Sequence, residues 1–274
     1  MQPIDEDTIT QAVIARHALA ADPRVRDLMT SLVQHLHAFA REVRLTEPEW
    51  QAGLRFLAEA GRLSQGPRHE FALLSDALGL SALVAAMAPR RRPGSTEATA
   101  TGPALAAEPA PLEEPCFVRG QVRGTDGRAV PGAELHLGAR STRLQADEQG
   151  RFQGLAQAAA AQLLPTDGPT GALLRALGRS AWRPAHLAVQ VQAAGCRTLR
   201  TQLFRRGDRH LDGDAAFGVR RSLVAEWRYH EPGRVNDGSV SARPFYTVDF
   251  DFVLEPAGPR GPSLTTHDDQ GDKR

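Results

Sequence analysis

The stretch CFVRGQVRGTDGRAVPGAELHLG, residues 116–138, decides the fold of this chain. Apolar and polar residues alternate in CFVRGQV and again in AELHLG, which predicts short β-strands that each bury one face. Between them, TDGRAVPG supplies the Asp-Gly and Pro-Gly pairs that favour tight turns. Short strands joined by tight turns are typically antiparallel, so the fold is predicted to be built on an antiparallel sheet.

The same twofold period continues towards the C-terminal end. A turn at DEQG precedes RFQG, and alternating runs return at HLAVQVQ, RTLRTQLF, RSLVAEWRY and PFYTVDFDFVLEP, after a region from Ala156 to Arg183 that is predicted to be irregular. Strands at this spacing are typical of a β-sandwich, which is assigned to residues 116–256. Residues 257–274 are predicted to be a disordered tail.

The N-terminal part has the helical period instead. One amphipathic helix is predicted from a stripe of apolar residues at intervals of three and four: Leu28, Leu32, Leu36, Phe39 and Val43. Thr46 and Glu49 form the sequence pattern of a capping box at the start of a second helix. That helix is expected to end near Gly61 and to bury Trp50, Leu54 and Leu57.

Two more helices are expected before the sheet. The first begins near Arg68, places Phe71, Leu74 and Leu78 on its apolar face, and ends at Gly79, where glycine accommodates a left-handed conformation. A short helix follows over residues 80–87. Together, residues 25–88 are predicted to be a helical domain, after an N-terminal extension of residues 1–24.

Between the two domains the composition changes. Residues 89–115 are rich in Pro, Ala, Thr and Glu and hold few branched apolar residues, so they cannot bury enough surface to fold alone. They are predicted to be a linker. The fold class is therefore α+β, with an N-terminal helical domain followed by an antiparallel β-sandwich.

Composition excludes several classes of function. The 33 Lys and Arg residues nearly balance the 32 Asp and Glu residues, which gives no bulk positive field for nucleic acid. Cys116 and Cys196 are too few for a disulfide framework. The start, MQPIDEDTIT, is acidic and polar, and no run reaches the roughly 18 apolar residues of a spanning helix. We therefore expect a cytoplasmic protein that binds no nucleic acid and is not a membrane protein.

Several longer strings carry a family resemblance. VRLTEPEWQAGLRFLAEAG and HEFALLSDALGLSALV lie in the helical part, and VRGQVRGTDGRAVPGAEL, LPTDGPTGALLRALGRSAWRPAHLAV, TLRTQLF and FYTVDFDFVLEP lie in the strand-rich part. Over residues 25–256 the chain resembles the intradiol ring-cleavage dioxygenases of the catechol and hydroxyquinol 1,2-dioxygenase type. That resemblance implies a helical dimerisation domain, an iron(III) site in the sandwich and cleavage of an aromatic ring between two hydroxyl-bearing carbons.

The family holds its iron with two tyrosines and two histidines, and three of these four positions differ here. His186 matches the first histidine of the family's RPAHxH string, but Ala188 stands at the second. Gln162 stands where a tyrosine precedes the PTDGP turn. The other family tyrosine belongs to a long excursion after the AEL strand, which is deleted here. Hard phenolates stabilise ferric iron, so the resemblance implies a degenerate site in which iron is absent or weakly bound.

Other residues leave alternatives open. The chain has only two tyrosines, Tyr229 and Tyr246, and both fall in late strands that the family uses for packing. Arg183 and Gln202 match residues of the family's substrate pocket, although each could equally serve a structural role. Two other histidines are candidates for a rebuilt divalent metal site, in a His/His/carboxylate set with His186, whereas scattered histidines are more often surface or hydrogen-bonded residues. These two candidates are His136 and His210.

Three functions are consistent with this pattern. The first is a catalytically degenerate dioxygenase-like protein that acts as a partner or regulatory subunit. The second is an enzyme with another metal, or with metal-independent chemistry on an aromatic or muconate-like substrate, using Arg183 and with His186 as general base. The third is an active iron(III) dioxygenase with unusual ligands. The resemblance also implies a homodimer, or a heterodimer with an intact paralogue, through helices that enclose a lipid-accommodating channel.

Overall fold

A computed structural model describes residues 4–65, 69–87, 92–99, 113–138, 142–235, 238 and 240–257. The chain divides into two compact units, Met1–Glu59 and Ala60–Arg274. The helices of the predicted domain 25–88 are therefore shared between the two units. The predicted tail, apart from Ala257, and most of the predicted linker lie outside the described residues.

The first unit is helical. It contains α1 (Ile9–Arg16), a short 3-10 helix (His17–Leu19), α2 (Pro23–Glu42) and most of α3 (Glu47–Leu63). Asp22 caps α2 by accepting a hydrogen bond of 2.7 Å from the Arg24 N–H group. Glu49 accepts bonds from the backbone N–H and the hydroxyl of Thr46, so the carboxylate half of the predicted capping box is present.

The apolar faces of α2 and α3 are exposed in the single chain. The α2 stripe lies on one helix as predicted, and its five residues are between 45% and 56% exposed. Trp50, Leu54 and Leu57, which we expected to be buried, are 48–53% exposed. The prediction of burial was wrong because the period identifies an apolar face but does not supply the layer that covers it.

In the second unit, α4 (Glu70–Ala77) and α5 (Leu80–Met87) meet at Gly79, whose φ of +74° confirms the expected left-handed helix end. The buried face of α4 differs from the prediction, since Leu73 and Ala77 are buried whereas Phe71 and Leu78 are exposed. Among the described helices none alone meets the length and apolarity needed to span a membrane, although the bent pair α4 and α5 meets those criteria together.

Fourteen strands follow among the described residues. Their bounds are β1 Glu113–Gly124, β2 Glu134–Leu137, β3 Thr142–Gln145, β4 Arg151–Ala159, β5 Gln162–Leu163, β6 Trp182–Arg183, β7 His186–Gln192, β8 Leu199–Arg205, β9 Val224–Ala225, β10 Trp227–His230, β11 Gly233–Arg234, β12 Val240–Ser241, β13 Phe245–Asp249 and β14 Phe252–Leu254. One helix, α6 (Pro169–Ala176), interrupts the region that we predicted to be irregular. Gly168 and Pro169 begin it, a start signal that strand periodicity does not reveal.

Ten of these strands form one sheet, with the order β10-β13-β1-β4-β7-β2-β3 along its main path. Most pairs are antiparallel as predicted, but β13 and β14 both run parallel to β1, and β9 runs parallel to β8. The turn-rich TDGRAVPG segment does not pair its two flanking strands, because β1 bonds to β4 while β2 bonds to β7. The main hydrophobic core contains buried side chains of these strands, among them Leu187, Val189 and Phe252.

Two segments beside this sheet bear on the sequence predictions: the connection between β2 and β3, and residues 92–99. Strands β2 and β3 pair with Leu137 opposite Thr142, so the chain returns within a few residues and no long excursion separates them. Residues 92–99, part of the predicted linker, are fastened to the sheet instead of running free. Thr96 donates its backbone N–H to the Val253 carbonyl at 3.0 Å, and its hydroxyl accepts from the Val253 N–H at 2.8 Å.

Candidate functional site

Strand β7 places two of the predicted site positions on one face. Leu187 and Val189 point into the core, so the period of two sends His186 and Ala188 to the opposite face. On the neighbouring strand β8, His186 lies opposite Phe204 and Ala188 lies opposite Gln202. The strand therefore offers one imidazole and one methyl group where the family resemblance implies two imidazoles.

His186 is buried and neutral. Its Nδ1 donates a hydrogen bond of 2.9 Å to the Pro184 carbonyl, which leaves Nε2 with the lone pair. Burial, followed by the positive charge of Arg183, lowers the pKa of His186 to about 4, although the hydrogen bond to Pro184 and nearby carboxylates act in the opposite direction. An imidazole with so low a pKa is a weak base, which disfavours the general-base role considered from the sequence.

Arg183 and Gln202, the two predicted pocket residues, are in contact. The Arg183 side chain is fully buried, and its Nη2 donates to Gln202 Oε1 at 3.1 Å. The same guanidinium forms a forked pair with Asp214, with Nε to Oδ1 at 2.9 Å and Nη2 to Oδ2 at 3.3 Å. Forked arginine–carboxylate pairs fix both charges in one geometry, so Gln202 and Asp214 together orient the guanidinium.

Asp214 is a site residue that sequence reasoning missed. Burial alone would raise its pKa, but the adjacent Arg183 charge and hydrogen bonds from Arg183 and from the N–H groups of Ala216 and Gly218 outweigh burial, so the pKa lies below its usual value. Nothing in the string LDGDAAFG indicated this role, because the partner lies 31 residues away along the chain.

Asp76, in α4, was also missed. Burial raises its pKa, while a hydrogen bond with Ser81 and the Arg183 charge act in the opposite direction. Among the described residues, Asp76 Oδ2 and Arg183 Nη1 are buried atoms without a hydrogen-bond partner. Buried polar atoms are nearly always hydrogen-bonded, so an unpartnered acceptor and an unpartnered donor mark this as an unusual part of the molecule.

Gln162 adjoins the same region. It lies on β5 directly opposite Arg183 on β6, and it is partly buried. The structure thus gathers Gln162, Arg183 and Gln202 with the face of β7 that carries His186. The amide of Gln162 is neutral at any accessible pH, so it presents no anionic oxygen at the position that the resemblance assigns to a tyrosine.

Both tyrosines pack elsewhere, as expected for late strands that the family uses for packing. Tyr229 on β10 lies opposite Tyr246 on β13, with ring centroids 5.7 Å apart, and the Arg205 guanidinium sits 5.0 Å from the Tyr246 ring. Loss of hydration is the first cause that raises the pKa of each phenol, although Tyr229 is 54% exposed, and the shift favours the neutral form. In the sheet order, β1 and β4 separate β13 from β7.

The histidines considered for a rebuilt metal site are not assembled around His186. His136 on β2 lies opposite Gln190, which is four residues along β7 from His186. His210 stacks on Trp182 with centroids 5.0 Å apart and accepts a bond of 3.0 Å from Arg209. Over the described part of the chain, no three His, Cys, Asp or Glu side chains gather into a group able to hold a metal ion.

The residues at the implied iron positions do not fit ferric iron. They supply one neutral imidazole at His186, one amide at Gln162 and a methyl group at Ala188. Ferric iron favours anionic oxygen donors, which this set lacks. The neighbouring Arg183 is paired with Asp214, so this ion pair supplies no net negative charge in place of the missing phenolates.

The chain is similar to known proteins over both its helical and its strand-rich parts. Residues 22–96 match the family model for the catechol dioxygenase N terminus, and residues 134–256 match the family model named Dioxygenase. The chain belongs to the intradiol ring-cleavage dioxygenase family, which confirms both the resemblance and the predicted fold class.

Individual relatives are similar over nearly their whole length. The chain is 44% identical to the 6-chlorohydroxyquinol 1,2-dioxygenase of Cupriavidus pinatubonensis, over 93% of this chain and 99% of the relative. It is 38% identical to the hydroxyquinol 1,2-dioxygenase of Nocardioides simplex, over 93% and 97%. The solved structure of hydroxyquinol 1,2-dioxygenase from Pseudomonas putida DLL-E4 aligns with a TM-score of 0.81 at 35% identity, covering 92% of this chain and 99% of that one.

Proposed function

We propose that this chain is a catalytically degenerate intradiol dioxygenase-like protein of catechol and hydroxyquinol catabolism, which serves as a partner or regulatory subunit. The observation that carries the proposal is the face of β7, where Ala188 stands beside His186 and opposite Gln202. A methyl group cannot bind a metal ion, and no neighbouring side chain replaces the missing donor among the described residues. The class of substrate comes from the names of the relatives.

Cofactor chemistry supports the same proposal. Bound iron(III) in this family would activate a catecholate for reaction with dioxygen, which requires phenolate donors to hold the ferric state. This chain offers Nε2 of His186 and the amide of Gln162. Iron is therefore proposed to be absent or weakly bound, and the retained Arg183, Gln202 and Asp214 contacts are proposed to be remnants of a substrate pocket.

A partner role also explains the exposed helices. The apolar stripe of α2, from Leu28 to Val43, and the apolar face of α3 at Trp50 are about half exposed in the single chain. Exposed apolar faces of this size mark interaction surfaces. We propose a homodimer, or a heterodimer with an intact paralogue, formed through these helices and accommodating a lipid between them, in the cytoplasm.

The contact between Arg183 and Gln202 favours one second candidate. An arginine with a free Nη1 could bind the carboxylate of a muconate-like substrate, so an enzyme using another metal or metal-independent chemistry is the alternative. The pKa of His186, about 4, argues against this residue as its general base. Turnover of such a substrate by metal-free protein would favour this alternative.

Purification from iron-supplemented medium tests the proposal. We expect a colourless protein with well below one iron per chain and no oxygen uptake with catechol or hydroxyquinol. Stoichiometric iron, a visible tyrosinate-to-iron band and ring cleavage would instead identify an active iron(III) dioxygenase with unusual ligands. That result would refute the proposal that the chain is catalytically degenerate.

A matched pair of variants sharpens this test. The double variant Gln162→Tyr/Ala188→His restores two donors at the implied positions, and we expect it to retain more iron and to develop a visible band. Gln162→Tyr/Gln190→His carries the same side chains but places the second histidine two residues further along the same face of β7. Equal iron content in the two variants would contradict the assignment of Ala188 to the ligand position.

A further inference from the structure

The segment after β8 is long and irregular. Residues 206–220 connect Arg205 to the 3-10 helix at Arg221–Leu223 without a helix or strand of their own. Irregular connections of this length inside a compact unit are uncommon and are often functional lids. Asp214, the partner of Arg183, belongs to this segment, so the segment is tied directly to the buried guanidinium.

Within it, Asp214 bonds to Arg183 and Gly218 approaches the same guanidinium, and we call residues 214–220 the cover. Gly218 is the point of closest approach, because a Cβ atom there would stand 2.9 Å from Arg183 Nη2, 3.2 Å from Asp214 Oδ2 and 3.3 Å from Gln202 Oε1. Only a glycine lets the backbone pass so close. The Gly218 N–H also donates to Asp214 Oδ2 at 2.7 Å, which closes the cover onto the guanidinium.

The outer side of the cover is held by contacts near the surface. The ring of Phe217, which is 47% exposed, packs against Gly79, and the Arg179 guanidinium lies 4.5 Å from its centroid. Arg179 also donates to the carbonyls of Ala77 and Ala215, and so joins the end of α4 to the cover. Water can reach these groups, so their contacts are weaker than the buried ones beneath.

Backbone strain is present at the same point. Phe217 has a φ of +54°, in the left-handed region that bulky residues rarely occupy. Such a conformation persists only when the surroundings impose it, and here the surroundings are Gly79 and Arg179. Release of these contacts would therefore also release the strain, which favours opening of the cover.

We propose that residues 214–220 form a cover that opens as a unit over Arg183, with Arg179 and Phe217 as its latch. Opening gives water or a small ligand access to Arg183 Nη1 and Asp76 Oδ2, two of the buried side-chain atoms that have no hydrogen-bond partner among the described residues. Access to the polar cluster then depends on the latch. The proposal does not depend on whether the chain binds iron.

Hydrogen exchange of the full-length protein, followed by mass spectrometry with residue resolution, tests the cover. The informative amides are those of Ala215, bonded to the Trp182 carbonyl, and of Ala216 and Gly218, bonded to Asp214. Arg179→Gln removes the latch, and we expect these amides to exchange about tenfold faster, which corresponds to the loss of one to two hydrogen bonds. Arg179→Lys should give a smaller increase.

A second variant perturbs the buried side of the cover, where it faces Arg183. Gly218→Ala places a methyl group against Arg183, so it should speed exchange at the same amides without touching the latch. Gly213→Ala is the matched control, since a Cβ there meets nothing within 4 Å and its φ is not positive. This control should exchange like the wild type.

The amides that pair β7 with β8 report on global unfolding and should keep their wild-type rates in all variants. Wild-type exchange at residues 215–218 in both Arg179→Gln and Gly218→Ala would overturn the proposal. Acceleration that occurs only together with the β7 and β8 amides would overturn it as well, because the segment would then open only when the sheet unfolds.

Discussion

Breaking the buried pair between Arg183 and Asp214 should be far more costly than breaking an exposed pair in the same unit. Asp214→Asn keeps an acceptor oxygen for only one of the Ala216 and Gly218 N–H groups, and it removes the negative charge beside a fully buried guanidinium. Removal of one partner of a buried ion pair leaves an uncompensated charge in a poorly solvated site. We therefore expect a loss of about 3–5 kcal/mol in the free energy of unfolding.

A double-mutant cycle separates the pair from its neighbours. Arg183→Met should also cost several kcal/mol, because it strands the Asp214 carboxylate. The double variant Arg183→Met/Asp214→Asn has no stranded charge, so its cost should fall well below the sum of the two single costs, with a coupling of about 2 kcal/mol or more. This non-additivity is the signature of a charge pair that is shielded from water.

Arg119 and Asp249 provide the control pair. Their side chains are 47% and 53% exposed, so solvent screens the interaction, and we expect a coupling below about 1 kcal/mol. Urea unfolding is followed by the fluorescence of Trp182 and Trp227 in a Trp50→Phe background, so that the signal comes from the second unit. The reasoning is refuted if Asp214→Asn costs less than about 1 kcal/mol or if the two couplings are equal.

Two further predictions concern pH and assembly. The pKa of Asp214 is lower in the folded state than in the unfolded state, so its charge stabilises the fold above the unfolded pKa of about 4. This stabilisation is lost as the pH falls through the lower pKa of the folded state. In urea unfolding below about pH 4, the free energy of unfolding should therefore fall more steeply with pH for the wild type than for Asp214→Asn, and parallel curves would contradict this. In sedimentation velocity at micromolar concentration, we expect a dimer that Leu32→Glu dissociates, with Leu19→Glu, outside the stripe, as the control; a monomeric wild type would contradict the assembly.

Local patterns predicted much of the fold. The left-handed Gly79, the Thr46 and Glu49 contact and the alternation along β7 all depend on residues close in sequence, and all are present. Helix α6 was missed because its signal, Gly168 followed by Pro169, is a single helix start inside a region without strand periodicity. The parallel pairing of β13 with β1 was also missed, since strand direction is set by a crossover and not by the strand's own residues.

The sequence predicted which kinds of side chain stand at the candidate site, but not how they are arranged in space. Side-chain chemistry alone shows that Ala188 has no donor atom and that Gln162 cannot supply a phenolate. Asp76 and Asp214 carry no local signal, because each acquires its role only when α4 and the segment after β8 meet Arg183. Such long-range encounters cannot be derived from periodicity, which reports only on residues a few positions apart.

By itself, the sequence determined the family, the order of a helical part followed by a strand-rich part, and the absence of tyrosine from the implied iron positions, because these follow from residue identity and spacing. The tertiary structure alone decided which charges are buried together, since desolvation depends on what packs around a group. It buried Arg183 against Asp214, left Arg183 Nη1 and Asp76 Oδ2 without partners, and exposed the apolar face of α2. Burial depends on residues that are distant in sequence, so a local stretch of sequence does not determine it.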